Sequence, residues 1–289
     1  MVKKSIFNAA VFGFSLSCIL TASPPAKASD ETLVFGIVPQ QAASRLAKIW
    51  VPFMQDLSKR TGLSITFATM KDIPTFEKCL AQGAYDIAYM NPYHYTTFSI
   101  VSGYKAFAHQ SEKELKGLIV VRKDNAAQGL DDLNNASLAF PSPAAFGASV
   151  LPRAEMKGRG LTITPKYVKS HDSVYRAVAS GIFPAGGGVQ RTFNSVSDDI
   201  RDQLRVIYRT NGYTPHAFAT APQVPAETIK KISTAMLEIA QDQPELMKAI
   251  GMKGFEPATD ATWNDVRALG LEQSQTEINK QGTVKCRLN

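Results

Sequence analysis

The sequence predicts an α/β protein, and three observations carry that assignment. Short apolar strands alternate with amphipathic helices from Leu33 onward, a β–α–β repetition whose right-handed crossovers build a mainly parallel sheet covered by helices. Glycine and proline stand where elements stop or start, as at Gly62, Pro92 and Pro225. Once an N-terminal leader is set aside, 261 of the 289 residues remain, enough for two cores of ordinary domain size.

The leader comes first. Lys3 and Lys4 precede a mainly apolar run over residues 6–20, and a helix-breaking Pro24-Pro25 pair leads into Ala26-Lys27-Ala28. Residues 1–28 therefore read as a secretory signal peptide cut after Ala28. The run is interrupted by Ser15 and Ser17 and is short for a membrane span of about 20 residues. Cys18 has Ser15 where a lipoprotein signal has leucine, which argues against lipidation. Removing the leader takes Lys3, Lys4 and Lys27 out of the balance, so 29 Lys plus Arg face 25 Asp plus Glu and the formal charge falls from +7 to +4. A modest positive balance suits small anions, while no basic cluster tracks a nucleic acid, which excludes nucleic-acid binding as a function. Cys79 and Cys286 are the only cysteines left, and export permits them to oxidise into a bridge that ties the C-terminal tail to the early chain. Free thiols, or a Cys79 thiolate serving a soft ligand, are the alternatives; two cysteines do not make a structural zinc site.

Residues 33–38 form the first buried strand. Residues 42–61 place Leu46, Ile49, Trp50, Phe53, Met54 and Leu57 at helical spacing before Gly62 stops the helix. An alternating strand at 63–68, a helix at 73–82 and an apolar strand ending at Met90 follow. That strand ends in the Asn91-Pro92 step, among Tyr89, Tyr93, Tyr95 and His94. Such a junction presents open helix amides and polar side chains to a cleft beyond the carboxyl ends of the strands. Further strands are expected at 117–122, 137–140, 162–168 and 204–209, with a short helix near 130–134, one starting near Ala144 and a compact one at 172–180. Gly186-Gly187-Gly188 reads as a tight turn, too simple for a nucleotide loop. Polar stretches near 109–117 and 210–217 read as crossovers between two halves. Pro225 opens a helix with Ile229, Ile232, Met236 and Ile239 on one side, and residues 263–278 give a terminal helix.

The stretch Gly83-Ala84-Tyr85-Asp86-Ile87-Ala88-Tyr89-Met90-Asn91-Pro92 and the later His171-Asp172-Ser173 are the specific parts of a broader similarity. It begins at Phe35-Gly36-Ile37-Val38-Pro39 and runs to the region near Glu238. Together they resemble the periplasmic binding proteins of phosphate, phosphite and phosphonate ABC transporters. The resemblance implies a bilobed periplasmic-binding-protein fold, type II-like, with two crossover linkers. Its first lobe takes residues 29–112 and 215–289, and its second takes 113–214. It implies a periplasmic monomer without cofactor or catalytic activity, which captures a small oxyanion or anionic organic ligand between the lobes and delivers it to an ABC permease. A membrane sensor kinase is the alternative receiver, and a metal complex the alternative ligand.

Carried over by position, the resemblance puts Tyr93 or Tyr95 on the first-lobe side of the pocket and brings His171 with Asp172 from the other lobe. The loop at 140–149 stands where the family presents a Ser-Thr-Ser-Gly phosphate clamp. Here it reads Pro141-Ser142-Pro143-Ala144-Ala145-Phe146-Gly147-Ala148-Ser149, so Gly147 and exposed amides remain to meet an oxyanion while Ser142 and Ser149 are displaced. His94 either points into the pocket or packs the helix after Pro92. Tyr213 and His216, in the second crossover, are further candidates. No His-x-x-x-His or Cys-x-x-Cys pair fixes a metal geometry, so no metal site is assigned. Ser170-His171-Asp172-Ser173 contains the letters of a catalytic triad without a nucleophile elbow, which argues against a hydrolase.

Overall fold

In this computed structural model the described residues are 1, 2, 4, 32–271, 273–278 and 284–286; apart from residues 1, 2 and 4, the expected signal peptide lies outside them. Strand β1 (Leu33–Ile37) leads into α1 (Ala43–Thr61), which buries Leu46, Trp50, Phe53, Met54 and Leu57. Gly62 ends this helix in the left-handed region, with its N–H returned to Ser58 O. β2 (Ile65–Ala68) is followed by α2 (Ile73–Ala81), capped by Asp72, and β3 (Ile87–Met90) by α3 (Pro92–Val101), capped by Asn91. β4 (Lys105–Gln110) then runs to the first crossover.

The second half holds β5 (Gly117–Arg122), β6 (Ser137–Phe140), a π-helical turn over Phe146–Val150, α4 (Leu151–Gly158), β7 (Thr164–Tyr167) and α5 (His171–Ala179). β8 (Ala185–Val189), α6 (Gln190–Ser195), α7 (Asp198–Arg201) and β9 (Leu204–Arg209) complete it. The chain returns through β10 (Ala217–Thr220), α8 (Ala226–Asp242), α9 (Pro244–Ile250) and β11 (Phe255–Pro257). Two sheets result, in the orders β11-β4-β10-β3-β1-β2 and β7-β6-β8-β5-β9, giving the bilobed α/β periplasmic-binding-protein fold. At the join, Leu115 N–H donates to Tyr213 O (2.7 Å) and Tyr213 N–H to Leu115 O (3.1 Å), so the two crossovers lie side by side as a short antiparallel ribbon.

Three expectations need correction. Neither sheet is mainly parallel: β10 runs antiparallel to β3 and β4, and β5 antiparallel to β8 and β9. A strand arriving through a crossover enters from the cleft end, against the direction of strands wound by β–α–β units. The glycine triplet is no turn; it is the buried centre of β8, between β5 and β6. A Cβ at Gly187 would lie 1.9 Å from Ala148 O, and one at Gly188 would lie 2.2 Å from the Tyr175 hydroxyl, so the missing side chains let the 146–150 turn and α5 close on the strand. The terminal helix is broken as well. A 3-10 turn at Asp260–Trp263 runs into α10 (Asn264–Arg267), Gly270 takes φ +58°, and α11 (Gln273–Thr276) follows.

The first lobe's core is aromatic: Trp50, Phe53, Phe218 and Phe255 pack ring against ring. Ala144, Ala145, Phe146 and Ala148 of the second lobe join that same core. Cys79 on α2 and Cys286 are disulfide-bonded, with 5.8 Å between their Cα atoms. Among the described residues no helix is long and apolar enough to cross a membrane.

Candidate functional site

The strands wound by β–α–β units, β1 to β3 in the first lobe and β6 to β8 in the second, point their carboxyl ends at one cleft, and the residues just past those ends form the site. From the first lobe come Gln40 after β1 and Asn91 after β3. From the second come the 140–150 segment after β6 and Arg191 after β8. Asn91 serves both lobes: its Oδ1 accepts from His94 N–H (2.8 Å) to cap α3, and its Nδ2 donates to Ala144 O (3.2 Å). Ala42 N–H reaches Asp172 Oδ2 at 3.4 Å.

Two histidines stand in the cleft uncharged. His171 opens α5 with Nδ1 3.1 Å from Thr192 Oγ1; burial, with the Arg191 charge nearby, pushes its imidazole down to about 3. His216 is held well below the usual histidine range by burial first and Arg191 second. Gln40 Nε2 donates to His216 Nε2 (3.1 Å), so the proton of this neutral ring sits on Nδ1, and the ring stacks on Tyr89 at 5.0 Å.

Arg191 spans the lobes. Its Nη1 donates to the Tyr89 hydroxyl (3.0 Å), and its guanidinium lies 5.7 Å from the Tyr89 ring centroid and 6.0 Å from that of Trp50. It forms no ion pair with any carboxylate among the described residues.

Two spaces meet at the Gln40–His216 pair. On the side of Asn91, Phe146, Gly147 and His171 the space is about 10 Å³, room for about one water. On the side of Tyr89 and Arg191 a cavity of about 220 Å³ opens toward the crossovers. Lys113, Lys116 and Arg209 stand at its edge with Glu114, so four cations, Arg191 included, face one carboxylate, which is itself paired with Lys116 at 3.2 Å. Phe146 explains the asymmetry: it is buried on the first lobe's core, edge-on to Tyr213 (5.7 Å), and occupies the middle of the 140–149 loop.

Of the residues expected in the pocket, Gly147, His171 and His216 line these spaces. The others are placed elsewhere. Residues 93–95 follow Pro92 into a helix packed against its own lobe, so both tyrosine hydroxyls and His94 Nε2 find partners there, while His94 Nδ1 is buried without one. The Tyr93 hydroxyl bonds Thr276 Oγ1 (2.8 Å), and that of Tyr95 donates to Asp260 Oδ1 (2.8 Å) with its ring on Trp263. His94 Nε2 faces Glu77 Oε1 at 2.9 Å, where burial raises the Glu77 carboxyl above its ordinary range. Ser149 Oγ accepts from Arg153 Nε (3.1 Å), and Ser142 Oγ is buried without a hydrogen-bond partner. Asp172 is engaged with the Ala42 amide, and burial raises its carboxyl. Tyr213 belongs to the crossover ribbon. Gln40, Tyr89, Asn91 and Arg191 were not assigned as ligand residues from sequence. The position after a strand's carboxyl end is the signal that finds Gln40 and Asn91, and it finds Arg191 once the glycine triplet is read as a strand. Among the described residues no three His, Cys, Asp or Glu side chains converge as a metal-ligand set.

Comparison with known proteins gives a consistent result. A family described as "ABC transporter, phosphonate, periplasmic substrate-binding protein" matches residues 35–263. Among solved structures, a binding protein component of an ABC phosphonate transporter from Pseudomonas aeruginosa superposes with TM-score 0.77 at 16% identity, covering 88% of this chain and 90% of that one. PhnD1 from Prochlorococcus marinus, in complex with methylphosphonate, gives 0.76 at 18% identity over 83% and 97%. An ancestral arginine-binding protein bound to arginine gives 0.56 at 17% identity over 75% and 96%.

Proposed function

Because the chain belongs to the periplasmic substrate-binding proteins of phosphonate ABC transporters, we propose that its solute is held in the cavity beside Tyr89, Arg191 and His216, at the junction of the two lobes. The protein is a periplasmic solute-binding component of an ABC importer, not an enzyme; its ligand is a small anion and its partner an ABC permease. One observation carries the placement: the roomy part of the cleft is ringed by four cations and one carboxylate, and His216, the histidine that lines it, is neutral. Charge of that sign draws anions in, and the part-buried Arg191 guanidinium holds them. The Asn91–Ala144 and Arg191–Tyr89 bonds join the lobes around this space and have to break for a solute to leave. Delivery is by a monomer.

Native mass spectrometry of protein taken directly from the periplasm, followed by calorimetric titration of anions, tests this reading. One anion per chain is expected, with Tyr93→Phe leaving its affinity within about twofold, since that hydroxyl serves Thr276. A neutral or cationic adduct, with no binding by any anion, would overturn it.

A further inference from the structure

We infer that the solute is an organic carboxylate with a short apolar body, gripped by Arg191, rather than a tetrahedral oxyanion; the inference rests on the reading of the cavity given above. A tetrahedral head presents three oxygens in different directions and needs donors converging from several sides. The loop at 140–149 cannot supply them. Its residues facing the first lobe are Ala144, Ala145 and Phe146, and the space beside Gly147 holds about one water, so a tetrahedral head has no room to meet the loop's donors. His171 Nδ1 is spent on Thr192, and His216, whose Nε2 accepts from Gln40, keeps a single N–H, on Nδ1, to donate.

Arg191 offers the opposite geometry. One nitrogen is used on Tyr89 and the guanidinium is held beside the Tyr89 and Trp50 rings, leaving further N–H donors in a single plane. A planar fork of that kind is completed by two oxygens of one head group, and a carboxylate, having only two, leaves none to be satisfied from other sides. Beyond the fork, the walls are the Tyr89 ring, Leu115, Val189 and Pro215. The 220 Å³ corresponds to about seven waters' share of the liquid, enough for a carboxylate and about four carbons. Lys113, Lys116 and Arg209 are exposed and act at long range, drawing the anion in without fixing its head.

The test titrates straight-chain carboxylates from acetate to octanoate, with inorganic phosphate and methylphosphonate, into the mature chain and its Arg191→Met and Arg191→Lys variants. For the wild type, affinity rises about fourfold per methylene to pentanoate or hexanoate and then falls as the cavity fills. Arg191→Met weakens pentanoate about 10- to 100-fold, and Arg191→Lys, which keeps the charge but not the fork, also weakens it. Thermal unfolding without added solute shows that the variants fold; should Arg191→Met not fold, Arg191→Lys and the chain-length series decide. Phosphate or methylphosphonate binding more tightly than pentanoate, or pentanoate affinity indifferent to both substitutions, would overturn the inference. If phosphate or methylphosphonate binds and ignores Arg191, the anion reading stands and this inference alone fails. If nothing in the series binds, this inference fails, and the anion reading is decided by the adduct found by native mass spectrometry.

Discussion

Replacing Gly187 with alanine tests the packing that shapes the cleft. Gly187 sits at the centre of β8, where an added Cβ would come 1.9 Å from Ala148 O and 2.7 Å from the Phe140 ring. The first neighbour is backbone and the second belongs to a buried core, so neither yields by a rotamer change. The 146–150 turn has to lift by roughly an ångström or more to reach an ordinary contact, which pulls Phe146 off the first lobe. Overpacking of this kind costs about 3 kcal/mol, with a drop in Tm of roughly 6–12 °C for a chain of this size. Gly129→Ala is the control, because nothing lies within 4 Å of its added Cβ; it should change stability by less than about 1 kcal/mol. Urea unfolding followed by circular dichroism measures both. If Gly187→Ala unfolds at the wild-type urea midpoint, β8 is not pinched as described and the shape of the cleft has another origin.

Two further outcomes follow from features away from the cavity. Cys79→Ser with Cys286→Ser should lower stability by about 2–4 kcal/mol, because the bridge closes a loop of 207 residues; equal urea midpoints with and without reductant in the wild type would contradict this. His171 titrates near 3 when folded against about 6.5 when unfolded, so the unfolded chain binds the extra proton between those values and stability is full above about pH 6.5 and falls toward pH 3. At pH 5 the loss from this group is about 2 kcal/mol, and His171→Gln should flatten the stability profile between pH 6.5 and 4; a slope identical to wild type would refute it.

The first lobe was the more legible half because its elements carry strong periodic signals. Leu46, Trp50, Phe53 and Leu57 mark one face of α1, and Gly62 and Asn91-Pro92 mark boundaries with known capping chemistry. β8 was hidden because its three central residues carry no side chains to set a period of two; what marks the strand is the approach of Ala148 and Tyr175 from distant sequence. The cleft suffered from the same blindness. Sequence proximity to Asn91-Pro92 made Tyr93 and Tyr95 look like pocket residues, yet their partners, Thr276 and Asp260, come from the far end of the chain. Arg191 was concealed behind the misread triplet, and Gln40 became a site residue only when His216 returned through the second crossover.

The ribbon formed by Leu115 and Tyr213 also limits how the two lobes can move. Two unconnected linkers would let one lobe both swing and twist against the other. Linkers bonded to each other, and to the sheet through Gly117 N–H and Thr210 Oγ1 (2.9 Å), have to bend together. That leaves one easy degree of freedom, an opening about the ribbon, like a book about its spine. The cavity edged by Leu115, Lys116 and Arg209 adjoins the spine, so the opposite margin of the cleft travels furthest for any given rotation. A solute in the cavity lies close to that axis, so the cations at the spine move least relative to it as the outer margin opens.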